Sequence, residues 1–282
     1  MKRSMIANVV AASLVAFSGS SYAAGLTDDE VRIGVLTDLS AIYSDIEGPG
    51  AVAAAKMAVK DFGGKVLGKK ITILTADTQS KADLSGSKAR ELFEKDKADM
   101  LIGNVSTAAA LAAMEVADQK GKISIVTGAA SLPITNEKCT ATNIHYVYDT
   151  YALSRGTGKA VVDTGKKDWF FVTADYAFGH TLERDTTEVI LANGGKVMGG
   201  VKHPISSQDF SSFMAQAQSS GAQVIALANA GGDTIGSVKQ AAELGIMGSK
   251  QTVVPLLMFL TDVQALGLKQ TSGMSFTTGW YW

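Results

Sequence analysis

Apolar and polar positions along this chain follow two alternating periods. Short apolar runs rich in β-branched residues read as buried strands: Val31 to Thr37 (VRIGVLT), Lys70 to Ala76 (KITILTA), Asp99 to Gly103 (DMLIG) and Lys122 to Thr127 (KISIVT). Between them apolar residues recur three and four apart, the spacing of a helix with one buried face. Val52, Ala55, Val59 and Phe62 share a face of a helix expected from about Ala51 to Phe62, and Ala89, Leu92 and Phe93 mark another from about Ala82 to Asp96. A third is expected from about Thr107 to Gln119. Strand and helix repeating through short loops predict a parallel, doubly wound sheet with right-handed crossovers.

The rhythm breaks between Ser131 and Asp149, where Pro133, Cys139 and several polar residues precede the extended piece NIHYVY. This stretch reads as a crossing into a second lobe. Alternation then resumes: a helix from about Tyr151 to Thr164, a strand from Asp168 to Thr173, a helix near Thr181 to Ala192 and a short strand from Lys196 to Val201. Ser206, Ser207, Gln208 and Asp209 resemble a capping box ahead of a helix bearing Phe210, Phe213, Met214 and Ala217. A strand from Ala222 to Ala228, a helix from about Thr234 to Leu244 stopped by Gly245, and extended pieces from Gln251 to Phe259 and Gly273 to Trp282 complete the chain. The expected architecture is α/β, with two doubly wound parallel-sheet lobes joined by a hinge. Strand-end loops of both lobes would face each other across a cleft that closes on a small molecule.

Two corners carry the candidate chemistry. The strands ending at Gly103 and Thr127 both break into small, hydroxyl-bearing residues at their carboxyl ends, the side of a parallel sheet where ligands bind. Ser106 or Thr107 at a helix start leaves backbone N–H groups free for an anion. Ser106, Thr107, Ala129 and Ser131 are therefore the candidate grip on a carboxylate, although a sulfate or phosphate would suit the same donors. The same residue types also serve as ordinary caps and corners.

Lys2 and Arg3 precede an apolar run from Met5 to Phe17, and Ser21 and Ala23 offer small residues for cleavage, so residues 1–23 read as a secretory signal peptide. No later stretch approaches the length of a membrane span. No cysteine sits at the cleavage point to accept a lipid, so a freely soluble periplasmic protein is expected. The remaining length suits two domains of about 130 residues: an N-terminal lobe over 24–143, a C-terminal lobe over 144–275, and a return crossing over 276–282.

A formal net charge of −1, a pI near 6.3 and the lack of long like-charged runs argue against nucleic acid and anionic membranes as partners. The GPG at 48–50 lacks the dinucleotide-binding spacing, so no nucleotide cofactor is expected. Cys139 has no internal partner for a disulfide and makes a poor metal ligand or nucleophile without a neighbouring His or Cys. His145, His180 and His203 show no metal-ligand spacing. A hydrolase using Ser106 or Ser131 with one of these histidines is disfavoured, because neither serine sits in a G-x-S-x-G elbow. No catalytic group, metal or cofactor is assigned.

GVLTDLSAIYSD, IGNVSTAAALA, IVTGAAS, DYAFGH and LANAGGD, in this order, resemble the periplasmic solute-binding proteins of branched-chain amino acid type ABC importers, the periplasmic binding protein type I fold. The resemblance implies that Ser106, Thr107, Ala129 and Ser131 hold a ligand carboxylate. It further implies that Tyr43 and the loop of Tyr176 and Phe178 flank the ligand body, and that Asn229, Ala230, Met258 and Phe259 line the pocket from the second lobe. The partners it implies are a small carboxylate or amino acid and a membrane permease, with the chain acting as a monomer and not inserting stably into a membrane. Amino-acid-binding members commonly hold the ligand ammonium with an acidic residue where this chain has PLLMFLTD. An unpaired buried ammonium is costly, so an organic acid with an aromatic or other apolar body is favoured over an amino acid, with Asp45, Asp175 and Asp233 as remaining ammonium partners. Family members also continue beyond the return crossing, so the first lobe is expected to be incomplete, with reduced stability and impaired closure. A ligand-sensing ectodomain of the same fold is the other alternative.

Overall fold

The computed structural model describes residues 28–280. The signal peptide expected over 1–23, and Tyr281 and Trp282, lie outside the described residues.

The first sheet is built from β1 (Glu30–Thr37), β2 (Lys65–Val66), β3 (Lys69–Asp77), β4 (Met100–Gly103), β5 (Ile123–Val126) and β6 (Asn143–His145), in the order β2-β3-β1-β4-β5-β6. All its pairings are parallel except the β2–β3 hairpin, a two-residue addition that no apolar period announces. The helices between them are α1 (Gly48–Asp61), α2 (Ala82–Glu94) and α3 (Thr107–Gln119). Leu36 and Leu101 of the sheet pack with Ala89, Leu92 and Phe93 of α2 and Ala113, Val116 and Ala117 of α3. Helix α1 begins at the GPG, whose proline sits in the first turn where a missing N–H costs nothing. Phe62, expected on its packing face, follows the helix end and is 66% exposed.

The second sheet, in the order β10-β9-β7-β8, consists of β7 (Asp168–Ala174), β8 (Lys196–His203), β9 (Val224–Ala228) and β10 (Thr252–Pro255), all parallel. Its side chains alternate with the pleat. Trp169, Phe171, Val224 and Ala226 pack with Phe178, Leu182 and Ile190 of α6 (Ala177–Ala192), while Val172, Ile225 and Leu227 pack with Met214 of α7 (Ser211–Ser219) and Val238 of α8 (Gly232–Glu243). Helices on both faces explain why these strands read as continuous apolar runs.

Three local readings change. Asn143–His145, expected in the crossing, first pairs with β5 as the sixth strand of the first sheet, and the chain crosses only after it. The helix expected from Tyr151 to Thr164 is α4 (Thr150–Leu153), one π-helical turn over Ser154–Gly158, and α5 (Lys159–Asp163). Rather than a capping box, a single Asp209 carboxylate accepts from the Ser211 amide at 2.7 Å to start α7. After β10 come α9 (Leu260–Leu266) and α10 (Leu268–Thr271), and the last segment is irregular. It returns beside the first crossing, with the Thr277 carbonyl accepting from the Met258 amide and the Thr277 hydroxyl 2.7 Å from that of Thr157 in the π turn.

Candidate ligand-binding cleft

Strand order decides where the cleft lies. In the first sheet the chain winds to one side of β1 and then to the other, so the loops after β1 and β4 part and leave a crevice; the loops after β7 and β9 do the same in the second sheet. Both crevices open toward each other.

On the first lobe, the loop after β1 is shaped by Asp38. Its carboxylate, fully enclosed, accepts from the amides of Ser40 (3.3 Å), Ala41 (2.7 Å) and Tyr43 (3.0 Å) and from the Ser80 hydroxyl (2.7 Å). This turn chemistry delivers Tyr43 into the cleft. Beside it the loops after β4 and β5 are locked together, Thr127 N–H donating to Gly103 and Ala129 N–H to Asn104. A Cβ on Gly128 would stand 2.9 Å from the Val105 Cα and 3.0 Å from the Glu47 carboxyl carbon, so glycine is what lets the three loops meet. Glu47 accepts from the hydroxyls of Thr37 (2.8 Å) and Thr127, and burial pushes its carboxyl up despite those two bonds.

From the second lobe come Tyr176 and Phe178 after β7, Ala230 after β9, and Leu257 and Phe259 after β10. The hydroxyls of Tyr43 and Tyr176 hydrogen-bond to each other, directly linking the lobes. Tyr43, Val105 and Ala130 also share one apolar cluster with Phe178, Ala230 and Leu257. The lobes are therefore closed on each other.

Between them lies an inner cavity lined by Tyr43, Ile46, Val105, Gly128, Ala130, Tyr148, Tyr176, Phe178, Ala230, Leu257 and Phe259, with ≈ 270 Å³ of space between atoms but only ≈ 20 Å³ open to the centre of a water molecule. That is room for about one water, so a ring-sized ligand enters only when the lobes part or side chains swing aside. An outer cleft of ≈ 470 Å³ adjoins it through Ile46, Gly128, Tyr148 and Phe259 and is bordered by Asp45, Glu47, Tyr146 and Trp280. No charged side chain lines the inner cavity. Burial pushes the Tyr43, Tyr148 and Tyr176 phenols well above their usual range, with neighbouring carboxylates adding to the effect, so all three stay protonated.

The expected site residues divide accordingly. Tyr43, Tyr176, Phe178, Ala230 and Phe259 line the inner cavity. Ser106, Thr107, Ala129 and Ser131 are buried and do not line the cavity, although they adjoin the lining residues Val105, Gly128 and Ala130 in sequence, and the Thr107 and Ser131 hydroxyls meet at 2.9 Å. Ser106 starts α3 with an extended backbone, and its side chain caps none of the first-turn amides. Asn229 is turned away into a buried network, its amide donating to Ser237 at 3.2 Å and its carbonyl accepting from Thr234 at 2.8 Å, with His203 3.1 Å away. Met258 belongs to the core on the far side of the sheet. Ile46, Val105, Gly128, Ala130, Tyr148 and Leu257 were not singled out from sequence. Tyr148, an aromatic residue in the crossing between lobes, was the one with a readable signal.

The three acidic residues considered for an ammonium are dispersed. Asp45 is exposed on the outer cleft and Asp175 is exposed beside His180, its oxygen 2.7 Å from Nε2. Asp233 is buried near the tyrosine pair, one oxygen accepting from Ser206 N–H at 3.2 Å and the other without a donor, and burial pushes its carboxyl up to about 7 against the amides of Ser206 and Ser207. Asp262, in the segment where an ammonium partner was sought, accepts from the Phe259 amide at 2.9 Å and starts α9. The three imidazoles bond elsewhere than to Ser106 or Ser131: His145 to Thr135 and the Ala129 carbonyl, His180 to Asp175, His203 to the Pro204 carbonyl and Asn229. Among the described residues no group of three or more His, Cys, Asp and Glu is arranged to hold a metal, and no helix is long and apolar enough to cross a membrane.

Two α/β lobes closing over an apolar cavity at their facing switch points define a bilobal ligand-binding protein. The chain belongs to the periplasmic binding protein family, which it matches over residues 30–282. It is 54% identical to a periplasmic binding protein from Burkholderia mallei, with a TM-score of 0.87 over 90% of this chain and 68% of that one. A solute-binding protein of an ABC transporter from Rhodopseudomonas palustris BisB5, solved with 3,4-dihydroxybenzoic acid, is 26% identical with a TM-score of 0.75, covering 81% of this chain and 62% of that one. The Leu/Ile/Val-binding protein homolog 6 of Brucella melitensis is 26% identical over 78% of the chain, which spans 56% of that relative's length.

Proposed function

We propose that the chain is the periplasmic ligand-binding part of an ABC importer, capturing a small carboxylate with an aromatic or other apolar body and presenting it to a membrane permease. The observation that carries this reading is the inner cavity: five aromatic rings and small aliphatic groups, with no charged side chain on its wall. An aromatic ring replaces water there at a gain of about 25 cal/mol per Å² of apolar surface buried. An ammonium group would meet no ionised partner at the wall and would be disfavoured.

The carboxylate is assigned to the first lobe, at the corner of Ser106, Thr107, Ala129 and Ser131 adjoining Val105, Gly128 and Ala130 in sequence. Amides of the first turn of α3 favour an anion. The Thr107–Ser131 contact uses one of two hydroxyl hydrogens and leaves the other for a ligand oxygen. Tyr43, Tyr176, Phe178, Ala230 and Phe259 then enclose the ring as the lobes close.

The solved relative with 3,4-dihydroxybenzoic acid supports an aromatic acid, and the Brucella relative's name supports a branched-chain amino acid as the second reading. Calorimetric titration of the chain with benzoate and with leucine separates them. Benzoate is expected to bind and leucine to give no heat of binding. Leucine binding with no response to benzoate overturns the proposal.

A further inference from the structure

A count of hydrogens at the tyrosine pair names the ligand more closely. Among the described residues the only polar side-chain atoms on the inner cavity wall are the phenol oxygens of Tyr43, Tyr148 and Tyr176. Tyr43 and Tyr176 come from opposite lobes, bond to each other, and are held neutral by burial, so the pair carries two hydrogens. Their mutual bond uses one. The second has no acceptor among the described residues, since neither hydroxyl makes a further hydrogen bond. A buried donor without an acceptor is unfavourable.

The pair also stands on the second lobe's side of the cavity. Tyr176 belongs to that lobe, and the Tyr43 ring lies against the turn after β9, where a Cβ on Gly231 would be 3.2 Å from its Cδ1. The carboxylate corner belongs to the first lobe. Resting on the proposed aromatic-carboxylate reading, we infer that Tyr43 and Tyr176 read a hydroxyl on the ligand ring, on the side away from its carboxylate. A ligand hydroxyl accepts the unused phenol hydrogen and donates its own to the other phenol, so that three hydroxyls each give and take one bond. An unsubstituted ring leaves the hydrogen unused, and an ammonium, which only donates, cannot accept it. Tyr43 and Tyr176 are thus specificity residues for hydroxylated aromatic acids.

The test is titration of the wild-type chain and the double variant Y43F/Y176F with 4-hydroxybenzoate and benzoate. Phenylalanine keeps the ring and its packing and removes one hydroxyl. The wild type is expected to bind 4-hydroxybenzoate about tenfold more tightly than benzoate, the effect of one or two neutral hydrogen bonds. In the double variant, which has no phenol at this place, that preference, read as the ratio of the two affinities, should fall to about twofold or less whatever the change in absolute affinity. Equal affinity of the wild type for the two acids, or a preference kept in the double variant, overturns this inference and leaves the carboxylate reading standing. Failure of the wild type to bind either acid overturns both.

Discussion

Asp38 of the first lobe and Asp233 of the second are both buried near the cleft, and the two are treated in opposite ways. Asp38 of the first lobe is fully enclosed and accepts from three amides and a hydroxyl. Asp233 of the second lobe is 1% exposed and has one oxygen with no donor at all. The first arrangement fixes a loop, because three of the donors to Asp38 are the amides that lead to Tyr43 and the fourth, the Ser80 hydroxyl, holds the carboxylate from outside that loop. The second fixes little at the cavity, and the polar groups of that lobe, His203, Asn229, Thr234 and Ser237, bond among themselves behind an apolar wall. On the proposed reading the contrast gives the lobes different work: the first holds the carboxylate in a preformed frame, and the second closes a largely apolar surface over the ring.

The largest expected effect tests the second lobe's frame. A Cβ on Gly179 would lie 2.1 Å from the Ala174 carbonyl oxygen and 3.0 Å from that of Ala228, both backbone atoms that cannot turn aside. Gly179→Ala should cost at least about 3 kcal/mol in chemical denaturation. A cost below about 1 kcal/mol would mean that the start of α6 yields freely, and the second lobe could not then be a fixed cover.

The carboxylate corner comes next. Thr107→Ala with Ser131→Ala removes both members of a buried hydroxyl pair, which is close to neutral for folding, but it also removes donors assigned to a charged ligand. Benzoate affinity should fall about a hundredfold, or about 3 kcal/mol, while stability shifts by less than about 1 kcal/mol. Unchanged affinity would move the anion elsewhere and erase the division of work between lobes. Asp38→Ala should cost about 2 kcal/mol of stability, because the amides of Ala41 and Tyr43 lose their acceptor, and it should weaken benzoate binding through Tyr43. A variant as stable as the wild type would show that the loop does not depend on this carboxylate.

The α/β fold was legible because buried parallel strands leave uninterrupted apolar runs and their carboxyl ends break into small residues. Strand order was not, because the local periods around β1 and β4 are the same whichever neighbours they pair with. The switch points were therefore invisible, and with them the meeting of Tyr43 and Tyr176. The loop choices stand one position from the lining of the inner cavity. Hydroxyl-bearing Ser106, Thr107 and Ser131 drew notice, whereas Val105, Gly128 and Ala130 line the cavity. Asn229 and Met258 stand likewise, each next to a residue that does face the cavity. The π turn at Ser154–Gly158 adds a residue to one helical turn, which a 3.6-residue period cannot register.

The smallest predicted effect returns to Asp233. Its folded value of about 7 lies above the ordinary value of 3.8, so the protonated carboxyl is the form the fold prefers. The stability it contributes is complete below about pH 4 and is lost as pH rises through 7. His203 works against this trend, since burial lowers its pKa and its contribution is lost as pH falls below its ordinary 6.5. Asp233→Asn keeps an acceptor for the Ser206 amide and removes the acid, so only the histidine trend should remain. Relative to wild type, the variant should gain about 2 kcal/mol between pH 5 and pH 8, read as about 4 to 8 °C in melting temperature. Parallel melting curves across that range would show that the fold does not favour the protonated form of Asp233, and the contrast drawn between the two buried carboxylates would fail.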